Sequence, residues 1–177
     1  MKPAALMGLA LAGVTLAALP PQLPFRAQAQ QQGPPQFLPV TARWCLAPRR
    51  CIDLEVADTP RRQALGMQLR PPLPPLRGMW FPYDPPAPAR FWMHRTPEPL
   101  DMLFVREGRV LVIEARTEPC MRLPCPSYGP DEPVEGVIEL AAGEAERLGI
   151  VAGTPVTIGP LGPGPLRKPA PPAPAPD

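Results

Sequence analysis

Proline decides how this chain can be divided. Of its 33 prolines in 177 residues, eight fall in the nineteen positions of 159–177 and six in 1–37, leaving nineteen for 38–158. A residue with a fixed φ and no N–H ends helices and is confined to the edges of sheets, so the two dense ends are predicted to lie outside any packed core. Proline and glycine together make 47 residues, a share that belongs to low-complexity chains. Yet 45 % of the chain is apolar and only 19 % charged, too apolar for a solvated polymer. The resulting organisation is a segment 1–29, a Pro/Gln-rich linker 30–37, one β-rich domain over 38–158 and a disordered Pro/Ala-rich tail over 159–177. No internal repeat is visible. Within 38–158 fourteen basic residues face fifteen acidic ones, a net charge of −1, which gives no indication of a basic nucleic-acid-binding surface.

The first segment reads as a targeting signal. Lys2 precedes an uncharged apolar run from Ala4 to Leu19, and Ala27-Gln28-Ala29 fits small-x-small cleavage. Sixteen residues are short of the roughly 20 that a bilayer core requires. The mature chain is therefore expected to be exported to the periplasm or beyond without a membrane span, or to keep this run as an N-terminal anchor where it is not cleaved. Export governs the four cysteines, which come as two close pairs, Cys45 with Cys51 and Cys120 with Cys125. In an oxidising compartment these read as two local disulfides rather than as a four-thiolate zinc site or a free dithiol.

Residues 39–45 and 51–57 read as a hairpin; in its second arm Ile52, Leu54 and Val56 alternate with Asp53 and Glu55, the period of a half-buried strand. Thr59-Pro60 caps a short helix that ends before Pro71-Pro72. Short aromatic strands around 78–81 and 89–93, a hairpin over 100–117 turning at Glu107-Gly108, a strand over 134–140, a short helix over 144–148 and a closing strand at 156–158 complete the pattern. The fold class is mostly β (α+β): a small antiparallel β-barrel or sandwich of six to eight short strands with two short helices.

Five segments in order, Leu65-Gly66-Met67-Gln68-Leu69-Arg70, Gly78-Met79-Trp80-Phe81, Phe91-Trp92-Met93-His94-Arg95-Thr96, Pro99-Leu100-Asp101-Met102-Leu103-Phe104 and Val137-Ile138-Glu139-Leu140-Ala141-Ala142-Gly143, resemble the motifs of the domain of unknown function 192 family. The resemblance spans about 51–158 and implies a compact β-rich fold with no established activity. The chain departs from the family pattern at His94 and Arg95, which stand where Lys and Asn are usual, at Gln68, where Met is usual, and at Thr154, where Asp is common.

Residues able to carry chemistry are few. His94 is the single histidine and Ser127 the single serine, without a nucleophile-elbow signature, which argues against a His-based hydrolase. Met67, Met79, Met93, Met102 and Met121 are scattered at strand positions and read as core filler rather than a copper site. Asp101 enters an apolar strand as a lone carboxylate and needs partners, for which Arg70, Arg95 and Thr96 are the candidates. The leading functional reading is a non-enzymatic binding or accessory module, a monomer taking an unidentified ligand or envelope partner. Its shallow pocket would lie near Arg70, Trp80, Trp92, Thr96 and Asp101, with no cofactor or metal. The alternatives are a carboxylate-based hydrolase using Asp101 with Glu139, and a structural envelope protein whose tail acts as a spacer. The cysteine reading has a direct check: peptide mapping without reductant is expected to return Cys45–Cys51 and Cys120–Cys125, with no Cys51–Cys120 peptide.

Overall fold

The computed structural model describes residues 33–161; the expected signal segment 1–29 and all of the tail beyond Leu161 lie outside the described residues. A seven-stranded sheet dominates. Its strands are β1 (Val40–Ala47), β2 (Arg50–Val56), β3 (Arg77–Ala87), β5 (Leu100–Arg106), β6 (Arg109–Thr117), β8 (Val134–Ala141) and β9 (Ile158–Pro160), in the spatial order β6-β5-β8-β3-β2-β1-β9. The strands β4 (Phe91–Trp92) and β7 (Ser127–Tyr128) pair as a separate small sheet, and the helices α1 (Pro60–Leu65) and α2 (Glu144–Leu148) are each under two turns.

Local chemistry accounts for most of these elements. Thr59 accepts the Arg62 N–H at 3.3 Å as the cap of α1, and Pro60 opens the helix, where its missing N–H costs nothing. Glu107 and Gly108 both have positive φ, as the two-residue turn between β5 and β6 requires. Cys45 and Cys51 are direct partners across β1 and β2 and are bonded, as are Cys120 and Cys125.

The mostly β (α+β), sandwich-like class is the one observed, and the structure amends the expected topology in three respects. The sheet is mixed rather than antiparallel, because β2 and β3 run parallel; α1 and the stiff Pro71–Pro75 connector form the crossover that such a pair demands. It does not close into a barrel, since β6 and β9 remain its two edges. There are nine strands, β3 runs on past Phe81 through Pro82, Pro85 and Pro86, and the last strand reaches Pro160, two residues beyond the expected domain end. The Pro/Gln-rich lead-in also differs from a free linker: Gln36 Nε2 donates to the carbonyls of Arg62 and Gly66 at 2.8 and 3.0 Å.

Alternate side chains of a strand point to opposite faces, and here both faces are covered. Trp44, Ile52, Leu54, Leu103, Ile138 and Leu140 pack beneath Ala145 and Leu148 of α2. Met79, Phe81, Met102, Phe104 and Val137 pack on the other face with Met67, Leu73 and Met93 from the connecting segments. Trp80 belongs to the first face, where its ring lies over Gly136; a Cβ there would fall 2.2 Å from the ring.

Candidate functional site

The hydrogen-bond register separates the two acidic residues that the sequence singled out. Leu54, Gly78, Leu140 and Asp101 form one row across β2, β3, β8 and β5; Glu55, Met79, Glu139, Met102 and Glu114 form the adjacent row, which extends to β6. Asp101 and Glu139 therefore point to opposite faces and do not form a carboxylate pair with each other.

Asp101 is buried, 1 % exposed, as its place in an apolar strand implies. Its partners are not those expected. Its Oδ1 accepts the N–H of Arg116 at 2.9 Å and its Oδ2 accepts the N–H of Ala145 at 3.0 Å. Arg70 is not its cation, because Arg70 lies on the other face and holds Glu55, and neither Arg95 nor Thr96 bonds to it. Asp101 thus caps α2, whose own N-cap is Gly143 with no side chain to offer. Above it runs a cleft of about 510 Å³ between β6 and α2. Leu111, Ile113 and Ala115 of β6 form one wall, Ala145, Ile150 and Val151 form the other, and the Arg116–Glu146 ion pair closes one end.

On the opposite face Arg70 grips both oxygens of Glu55 at 2.6 and 2.8 Å, with both side chains largely buried. The Phe37 ring lies 4.7 Å from the guanidinium carbon, and the Leu38 N–H donates to Glu55 Oε2 at 3.0 Å. Glu139 lies in the row between Met79 and Met102 with its Oε2 unpartnered, as is Arg70 Nε. Burial pushes the Glu139 carboxyl up to about 8, against a smaller opposing pull from Arg70. The same burial, joined by Glu139, raises the Tyr83 phenol.

The five candidate pocket residues are thus dispersed. Asp101 lines the cleft by α2, Arg70 holds Glu55, Trp80 packs on the sheet, Thr96 is buried in a turn, and Trp92 is 47 % exposed with its ring 5.2 Å from that of His94. The cleft walls and Glu55 escaped the sequence reading. The run Leu111-Val112-Ile113 was the available signal, being apolar on both faces of a strand that the structure places at an edge.

The family model DUF192 (Uncharacterized ACR) matches residues 45–158. A crystal structure of a protein of unknown function from Novosphingobium aromaticivorans is 31 % identical, with 71 % of this chain and 94 % of that one covered and a TM-score of 0.58. A structure from Sinorhizobium meliloti, described as a "putative transcription regulator", is 30 % identical over 68 % of this chain and 92 % of its own, with a TM-score of 0.56. No curated protein matches.

Two outcomes follow from these environments. Asp101→Ala removes a charged acceptor from two N–H groups and is expected to cost about 3 kcal/mol in chemical denaturation. Its cost should add to that of Arg70→Ala, because the two lie on opposite faces of the sheet. Glu139 has the opposite character. With the unfolded value near 4.5 and the folded value about 8, both states bind the proton below 4.5, and as pH rises toward 8 only the unfolded chain releases it. Stability contributed by this site is therefore lost over that window. Thermal denaturation from pH 4.5 to pH 8 should show a falling melting temperature in the wild type and a flatter one in Glu139→Gln.

Proposed function

From the premise that this chain belongs to the DUF192 family, described only as uncharacterized, we propose that it is an exported, non-enzymatic binding module whose cleft along β6 takes an extended peptide segment of an envelope partner. The observation that carries this reading is an edge strand beside an apolar cleft. Beyond Val110, which bonds to the 153–154 turn, the outer side of β6 from Leu111 to Ala115 pairs with no strand among the described residues. An edge of this kind offers main-chain donors and acceptors to an added strand, and the neighbouring cleft receives every second side chain of that strand.

The chemistry of the cleft favours binding over catalysis. Asp101, the acidic group at its base, has both oxygens engaged by backbone N–H groups, and Glu146 at its end is paired with Arg116. Export is supported by the Ala4–Leu19 run and by two disulfides in a small domain. The regulator description of the Sinorhizobium protein does not transfer to this chain on its charge, since 38–158 carries a net −1 and lacks a basic excess for phosphates.

A displayed library of random peptides panned against the full chain is the test. Selected peptides should show alternating apolar positions and should shift amide resonances of 111–116 and 145–152. Leu111→Lys and Val151→Asp, at the two walls, should each weaken the selected peptides by about tenfold or more while leaving the circular dichroism spectrum unchanged. Peptides that map elsewhere, or affinities indifferent to both substitutions, would overturn the reading.

A further inference from the structure

The described residues expose six large apolar side chains, and five of them lie along one chain of contacts: Phe37 (63 % exposed), Leu69 (37 %), Trp92 (47 %), Met121 (53 %) and Leu123 (58 %). Phe37 covers the guanidinium of Arg70, the neighbour of Leu69. The Leu69 N–H donates to the Arg95 carbonyl at 2.8 Å, and the Arg95 N–H donates to the Cys120 carbonyl at 2.9 Å. Cys120 in turn bridges to His94, on which Trp92 rests, and its disulfide to Cys125 closes the loop that projects Met121 and Leu123. The sixth exposed side chain, Val151, belongs to the cleft.

The loop segments that carry these side chains are basic. Residues 67–70, 91–96 and 120–127 contain no Asp or Glu, and they contain Arg70, Arg95 and Arg122 together with His94. Glu98 and Glu118 lie just outside these segments. Arg70 is neutralised by Glu55, while Arg95 and Arg122 make no ion pair among the described residues. Apolar side chains projecting from several loops, an exposed tryptophan and two unpaired arginines form the composition that anchors a surface at an anionic bilayer interface. Sequence continuity selects the same partner. Phe37 stands just beyond the stretch 20–33, which links the folded domain to the Ala4–Leu19 run. At full extension those fourteen residues reach roughly 50 Å, so a chain that keeps its apolar run holds the domain within that distance of the membrane.

We infer that the face formed by Phe37, Leu69, Trp92 and the Cys120–Cys125 loop is a membrane-docking surface that rests on a lipid bilayer carrying anionic headgroups. This surface is separate from the β6 cleft and does not depend on its occupancy.

The test uses the full chain on phosphatidylcholine/phosphatidylglycerol vesicles containing dibrominated acyl chains, with the Trp92 signal taken as the difference between wild type and Trp92→Phe. The Ala4–Leu19 run contains no tryptophan, so tethering through it alone leaves that difference signal unchanged. Docking is expected to shift Trp92 emission to the blue, quench it by bromine and shield it from aqueous acrylamide. Met121→Ser/Leu123→Ser should abolish the quenching, and Arg95→Gln/Arg122→Gln should reduce it on anionic vesicles. Co-flotation of the protein with vesicles while Trp92 stays open to acrylamide would overturn the inference. So would bromine quenching that survives both double substitutions, or shielding of Trp92 by soluble chito-oligosaccharide without vesicles.

Discussion

A carboxylate that is 1 % exposed and meets no cation is stable only if something else satisfies its charge, and for Asp101 the backbone does so. Its two accepted hydrogen bonds join three elements: the start of β5, which carries it, the end of β6 through Arg116, and α2 through Ala145. Arg116 itself sits at φ 52°, a left-handed conformation that an arginine adopts only under constraint from its surroundings. Its side chain then folds back toward Gly143 and pairs with Glu146. The wall, base and end of the cleft thus all refer to one carboxylate.

The opposite face solves a different electrostatic problem. There an arginine and a glutamate leave water together, and the bidentate geometry of Arg70 on Glu55 offsets much of the desolvation that two separate charges would incur. Glu139 has no such partner and responds by holding its proton. Glu55 and Glu139 share one cross-strand row, separated only by Met79, and the nearby guanidinium of Arg70 is committed to Glu55, so burial dominates at Glu139.

Much of the fold was legible because local rules and tertiary context agree in it. The Thr59-Pro60 helix start, the Glu107-Gly108 turn and the facing cysteines of β1 and β2 all stand where residue chemistry puts them. The parallel pairing of β2 with β3 was not legible, since the proline-rich connector between them reads equally well as a turn. The alternation of Ile52, Leu54 and Val56 with Asp53 and Glu55 identified a strand but suggested one wet face. In the structure Glu55 is instead covered by Arg70 and the 36–38 segment, neither of which is its neighbour in sequence. Asp101 was recognisable as buried and partnered, but a sequence displays side chains only. Its donors are main-chain N–H groups, so attention went to arginines that the sheet places on its far side.

The seventh strand carries a consequence for how the chain is made. The outer edge of β1 is covered by β9, and the residues between Gly153 and Val156 bond first to the beginning of β6, at the other edge of the sheet. Eight residues near the end of the described chain therefore cover the β1 edge and the first residues of β6, in a sheet whose other strands are complete by Ala141. A polypeptide emerging N-terminus first, from a ribosome or through a translocation pore, holds the β1 edge unpaired until that last stretch has cleared the exit. Unpaired edges are the usual nuclei of strand-to-strand association. The time spent in that unfinished state therefore adds an exposed edge that the finished domain does not have.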